Sequence, residues 1–198
     1  MIALATTTSG VAATILSGGR TSHSRFDIPL QTNDTTKTKM SKQSGVAKLI
    51  RQAKLIIWDE APMEKCQIIE TVDRSFRDIM DVNVPFGGKV MVFGGDFRQV
   101  LPVVPKSTRA ETVNASLVKS YLWPLMKKIY FTTNMRARAD PNFSNFLLRV
   151  GSWDEQTVKK NLICLPEQIV IKHNSDDKAE ECLIREIFPS LHQNASSA

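Results

Sequence analysis

The segment LIIWDEAPM, Leu55–Met63, sets two adjacent carboxylates, Asp59 and Glu60, at the end of a short apolar run. A buried strand of this kind delivers its last residues to a sheet edge, and acids in that place hold a metal or move a proton. A second apolar run, Lys89–Phe93, ends in Gly94-Gly95-Asp96, with Gln99 three residues on in GGDFRQVLPVV, and a third segment ends in TTNMR with Arg136. Together these groups have the types that phosphoryl transfer to water requires. Asp59 would hold Mg²⁺ through water, and Glu60 would polarise the attacking water. Gln99 has an amide that can donate to a phosphate oxygen and accept from water, and the planar Arg136 guanidinium can grip two phosphate oxygens. Taken singly, each has a plainer reading. The acids could cap a helix, Gln99 could close a turn, and Arg136 could form a surface ion pair.

The elements that must position these groups follow from periodicity. Met63, Cys66, Ile69, Val72, Phe76, Ile79 and Met80 recur at helical intervals between the two apolar runs, and Pro85-Phe86-Gly87-Gly88 ends the pattern. Strand, helix, strand makes a βαβ unit with parallel strands, so Glu60 and Asp96 should emerge at one carboxyl edge. Ala115–Met126 reads as a helix disturbed by Pro124, and Lys128–Thr133 as a third strand leading to Arg136. Asp140-Pro141 caps and opens a helix through Val150, and Ser175 caps a last helix striped by Ala179, Cys182, Leu183 and Ile187. The polar stretch Gln31–Ser44 reads as an exposed insertion.

With 198 residues and 42% hydrophobic content the chain can bury one domain-sized core. A net charge of +6 favours a polyanionic partner. Cys66, Cys164 and Cys182 are odd in number and widely spaced, which indicates neither a disulfide framework nor a cysteine zinc site. His23, His173 and His192 form no H-x-H or H-x-x-x-H group, which weakens a two-metal phosphoesterase built on Asp59, Glu60 and Asp96. The N-terminal segment lacks a basic n-region and its apolar residues are interrupted, and no stretch reaches transmembrane length, so no membrane partner is expected.

LIIWDEAPM, PFGGKVMVFGGDFRQVLPVV and FTTNMR resemble motifs II, III and IV of the petite-integration-frequency (PIF) type of DNA helicase, in superfamily one. ATTTSGVAATILSGGRTSHSRF resembles the same family's motif Ia and the GG-x-T-x-H segment behind it, and FSNFLLRVG is similar to its Helitron-associated branch. The resemblance implies an α/β fold, a RecA-like P-loop NTPase motor domain with a parallel sheet, over residues 1–150, and a connecting region over 151–198 toward a second motor domain. It implies Asp59 as the Mg²⁺ residue, Glu60 as catalytic base, Gln99 as γ-phosphate sensor and Arg136 as the motif-IV arginine. It places Thr8, Ser9, Gly10, Thr21 and His23 on single-stranded DNA. The insertion falls where the family carries its strand-separating wedge, yet Gln31–Ser44 contains no aromatic residue to stack on a base.

The implied function is ATP-dependent unwinding of DNA, with ATP and Mg²⁺ bound and single strands and junctions as partners, in repair, recombination or telomere maintenance. The nucleus is the expected compartment, with the mitochondrion as the alternative, and the oligomeric state stays open. The chain contains no G-x-x-x-x-G-K-[ST] loop; Gly18-Gly19-Arg20-Thr21 lacks its first glycine and its lysine. The first strand and phosphate-binding loop are thus expected to be missing, and the chain to be a truncated motor, inactive alone. The alternative is a non-catalytic transposon-derived remnant that binds DNA or a partner at most.

Overall fold

A computed structural model describes residues 2–172 and 179–190. The chain divides into two compact units, Met1–Met135 and Arg136–Ala198.

The first unit is built on β1 (Ile2–Thr7), a helical turn α1 (Gly10–Ile15), β2 (Arg20–Thr21), α2 (Ser22–Phe26), α3 (Gly45–Gln52), β3 (Ala53–Asp59), α4 (Cys66–Met80), β4 (Val90–Phe93) and α5 (Arg109–Asn114). The strands form one parallel sheet in the order β2-β1-β3-β4. The βαβ unit expected from the two apolar runs is therefore present, with β1 added on the far side of β3.

Strand alternation decides which side chains enter the core. Leu4 and Thr6 of β1 and Ile56 and Trp58 of β3 are buried on one face. Register aligns Leu4 with Ile56 and Thr6 with Trp58, and these in turn with Met91 and Phe93 of β4. Against this face α4 buries Ile69, Val72, Phe76 and Ile79, its three- and four-residue stripe, each worth about 1.5–3 kcal/mol when fully buried. Phe26 of α2 fits between sheet and helix, with ring centroids 5.9 Å from Trp58 and 5.4 Å from Phe76. The opposite face carries Ala3, Ala5, Leu55, Ile57, Val90 and Val92; Val90 and Val92 are 59% and 47% exposed. Among the described residues no strand pairs with the outer edge of β4.

The turn Pro85–Gly88, which launches β4, is held by a fully buried carboxylate. Asp73 of α4 accepts from the Phe86 amide at 2.6 Å and the Tyr121 hydroxyl at 2.6 Å, and lies 2.9 Å from Arg77 Nε. Phe86 sits there in the left-handed region, φ 51°.

Two expectations are corrected. Lys128–Thr133 forms no strand: Ile129, Tyr130 and Phe131 are exposed, Phe131 almost completely at 99%. β-propensity alone does not make a strand; the backbone groups need a neighbouring edge, and among the described residues no strand pairs with this run. Ala115–Met126 is two 3₁₀ turns, Leu117–Lys119 and Trp123–Leu125, rather than a helix. Ser120 explains part of this, since its hydroxyl donates to Glu70 at 2.7 Å and accepts from the Leu122 amide, offering the backbone a turn in place of a helical bond. Helicity lies earlier, in α5, where Thr108 and Glu111 form a capping box. The polar insertion Gln31–Ser44 buries none of its residues, as expected, and is fastened along α4. Arg74 donates to the Thr36 and Asn33 carbonyls, the Thr38 amide to Ser75 Oγ at 2.8 Å, and Lys37 and Lys42 pair with Asp78 and Asp81.

In the second unit α6 (Pro141–Ser152) begins as its sequence signal indicates, with Asp140 accepting from the Phe143 amide at 2.9 Å and Pro141 in the first turn. An antiparallel pair, β5 (Thr157–Lys159) and β6 (Leu162–Ile163), follows. The last helix, α7 (Ala179–Ile187), stops before Pro189; its expected cap Ser175 lies outside the described residues. Among the described residues no helix is long and apolar enough to cross a membrane.

Candidate functional site

Parallel register brings the carboxyl ends of β1, β3 and β4 to one edge, where Thr7 stands opposite Asp59 and Trp58 opposite Phe93. Backbone bonds weld the three ends together. The Thr8 amide donates to Asp59 O at 3.1 Å, the Gly94 amide to Trp58 O at 2.9 Å, and the Ala61 amide to Gly94 O at 2.9 Å. The chain reverses at Glu60, whose φ of 53° is left-handed, a conformation that non-glycine residues adopt at a cost and that recurs at functional sites. The Glu60 amide donates to Asp59 Oδ1 at 3.0 Å, which turns the two carboxylates apart in role: one anchored to the backbone, the other on the turn.

Two glycines keep this edge open. A Cβ at Gly94 would lie 2.8 Å from Asp59 Oδ1. At Gly95, φ 149°, a Cβ would lie 2.2 Å from Pro62 Cδ. The space beside the half-buried Asp59 therefore depends on Gly94, and an oxygen donor with room around it suits a hydrated Mg²⁺, which keeps most of its waters and takes only one or two carboxylates from protein. Among the described residues no three His, Cys, Asp or Glu side chains converge as a metal cluster. Asp96 is committed elsewhere: its Oδ1 accepts from the Arg98 amide at 2.9 Å and Arg98 Nε at 3.1 Å, and these bonds, the amide first, hold its carboxyl below the ordinary aspartate range. Gln99 follows on an exposed loop, its backbone N–H donating to Asp96 O at 3.1 Å. Arg136 is exposed on a turn at the start of the second unit, without the preceding strand expected for it.

The residues implied on DNA fall on β1–α1 and β2–α2. Trp58 Nε1 donates to Thr8 Oγ1 at 3.1 Å, so Thr8 is bonded to β3 through both its amide and its hydroxyl. Ser9, next to Gly10, caps α1, and Thr21 caps α2, accepting from Ser24 N at 3.4 Å. His23 is half-buried, with Nδ1 3.8 Å from Glu64 Oε2. Glu64 escaped sequence reasoning. It is 9% exposed, its Oε2 accepts from Ser22 Oγ at 3.4 Å and its Oε1 from the Lys65 amide at 3.3 Å. The only sequence signal was its place four residues beyond Glu60 in a proline-led turn.

Burial pushes the Glu64 carboxyl above the ordinary glutamate range, opposed by His23, the Lys65 amide and Ser22. A raised folded value means that the native state holds this proton more tightly than the unfolded chain. The resulting stability is present below the unfolded pKa and is lost as pH rises through the folded one. Glu64→Gln removes that loss, so its melting temperature should exceed the wild-type value by a few degrees at neutral pH, with the gap closing on acidification. Thermal melts across the acidic range test this; a gap that widens toward acid would contradict it.

Residues 1–161 match the family model for PIF1-like helicases. The chain is 30% identical over 159 residues to the ATP-dependent DNA helicase PIF1 of Saccharomyces cerevisiae, covering 78% of this chain and 18% of that protein. It is 27% identical over 157 residues to the ATP-dependent DNA helicase PIF3 of Trypanosoma brucei brucei, again over 78% of this chain and 18% of the relative. It thus spans about a fifth of the length of these relatives. Among solved structures, a Bacteroides Pif1 in complex with ADP-AlF4 superposes with a TM-score of 0.63 at 26% identity, over 78% of this chain and 37% of that one. A Bacteroides Pif1 helicase in complex with ADP-AlF3 and single-stranded DNA superposes with a TM-score of 0.66 over 96% of this chain and 47% of that one; at 22% identity it speaks for the fold alone. The RecA-like α/β class expected from the motifs is borne out by this likeness.

Proposed function

Because this chain belongs to the PIF1-like helicase family, we propose that it supplies the catalytic acids and part of the single-strand path of an ATP-driven DNA helicase motor. The observation that carries this reading is the pair of hydrogen bonds between Thr8 and β3: a residue on the proposed DNA path is hydrogen-bonded to Trp58 and Asp59, two and one positions before Glu60.

Asp59 would hold Mg²⁺, which when bound neutralises charge on the β- and γ-phosphates of ATP. Glu60 accepts the proton of the attacking water, and its backbone turn presents the carboxylate past the end of β3. Gln99 senses the terminal phosphate from the loop after β4, and Arg136 serves as the motif-IV arginine. Thr8, Ser9, Gly10, Thr21 and His23 follow the DNA backbone, a task for hydroxyls, amides and a ring rather than for base-edge readout. The role we propose for the motor is in DNA repair, recombination or telomere maintenance, in the nucleus or, as the alternative, the mitochondrion, on single strands and junctions.

The polynucleotide half of this reading is tested by fluorescence anisotropy on the chain itself with a labelled oligodeoxythymidylate. Weak binding is expected at low salt, with log K falling against log[salt] at about −0.7 per phosphate contacted. Absence of binding at low salt, or binding indifferent to salt, would contradict the single-strand path.

A further inference from the structure

A buried carboxylate normally stands with an arginine or lysine, or with several donors, because its desolvation is otherwise uncompensated. Among the described residues the basic side chain within 4 Å of the Glu64 carboxylate is the His23 imidazole, its Nδ1 3.8 Å away and beyond hydrogen-bond range, and the hydrogen bonds that the carboxylate accepts are from the Ser22 hydroxyl and the Lys65 amide. The groups facing it are thus Ser22 and His23 from α2 and Lys65 from its own connection. Such an arrangement contributes little to stability and is better suited to holding the imidazole in one place.

That place has a particular surrounding. His23 and Glu64 both line an open cleft of about 330 Å³, to which Gln31, Thr32 and Ile68 also contribute. The carboxylate stands 3.8 Å from the ring, which remains half-exposed and lines the cleft. Glu64 is itself set by the acid end of β3. The turn Ala61–Met63 is closed by the Met63 amide on Glu60 O at 3.1 Å and the Glu64 amide on Ala61 O at 3.0 Å, with Ala61 and Pro62 buried.

We propose that Glu64 is a positioning residue that holds His23 against single-stranded DNA, and so joins the DNA-facing helix α2 to the turn that carries Glu60. The proposal rests on the single-strand path assigned above and adds to it a residue that does not itself touch DNA.

The test is a double-mutant cycle on the full chain, read as affinity for an oligodeoxythymidylate, with melting temperatures alongside. Glu64→Leu should leave the melting temperature unchanged or raise it, since replacing a poorly compensated buried charge by an apolar group of similar size is often stabilising. It should nevertheless weaken DNA binding about threefold to tenfold, and Glu64→Gln, which keeps the Ser22 bond, should weaken it less. In a His23→Ala background both Glu64 substitutions should have no further effect on affinity. Additive losses, or wild-type affinity in a folded Glu64→Leu variant, would overturn the positioning role while leaving the single-strand path intact. Failure of the unmodified chain to bind the oligonucleotide would instead remove the path, and the proposal with it.

Discussion

In a full-length PIF1-like helicase that contains this domain, Glu60→Gln is expected to lower ATP turnover by about 10²–10⁴ while leaving nucleotide affinity and the melting temperature nearly unchanged. The substitution keeps the size of the side chain and removes its ability to accept a proton. Among the described residues no hydrogen bond or ion pair is made by the Glu60 carboxylate: the contacts that shape the turn are the Glu60 amide donating to Asp59 Oδ1 and the Met63 amide donating to the Glu60 carbonyl, and both survive. Single-turnover hydrolysis and nucleotide binding, measured on the same preparation, separate the two effects. If Glu60→Gln binds nucleotide and turns over normally, Glu60 is not the base; if its thermal transition collapses, the carboxylate serves the turn rather than the reaction.

The second large effect is expected at Gly95. An added methyl would meet Pro62 Cδ at 2.2 Å and Cγ at 2.7 Å, and the φ of 149° lies where L residues rarely settle. Pro62 cannot yield, because its ring is buried and the preceding Ala61 amide is bonded to Gly94 O. Relief would require the loop after β4 to part from the turn after β3. Strain and overpacking together predict that Gly95→Ala destabilises the fold by about 2–4 kcal/mol, or roughly 5–15 °C in melting temperature. Gly45→Ala, where a Cβ meets nothing within 4 Å, provides the control and should leave the transition in place or raise it slightly. A Gly95→Ala variant that melts with the wild type would mean that the two loops are not locked together as described.

The legible part of this protein was its local order. Leu55–Asp59 and Val90–Phe93 are short β-branched and apolar runs joined by a striped helix, and a connection of that kind admits a parallel crossover with few alternatives. That reasoning placed Asp59, Glu60 and Asp96 at one edge. β1 was not read as a strand, because Thr6 and Thr7 lie in its buried half and the segment lacks a plain apolar signature; their burial becomes visible only once Trp58 and Asp59 stand opposite. Lys128–Thr133 failed in the other direction: its composition suits a strand, but pairing is a property of two segments and cannot be read from one.

The same division holds at the site. By itself the sequence determined which groups can do the chemistry and that Asp59 and Glu60 close a strand, since residue type and spacing are covalent facts. Which groups are free to act was decided in three dimensions. Asp96, an acid at the right edge, is bound by Arg98; Thr8 is drawn to Trp58 across 50 positions of sequence; and Glu64, a charge indistinguishable in the sequence from a solvated one, is buried 42 positions from the Ser22 hydroxyl that bonds it. Hydrogen bonds and desolvation act over a few ångströms of space whatever the separation along the chain, so only the folded arrangement assigns each carboxylate its neighbours and hence its role.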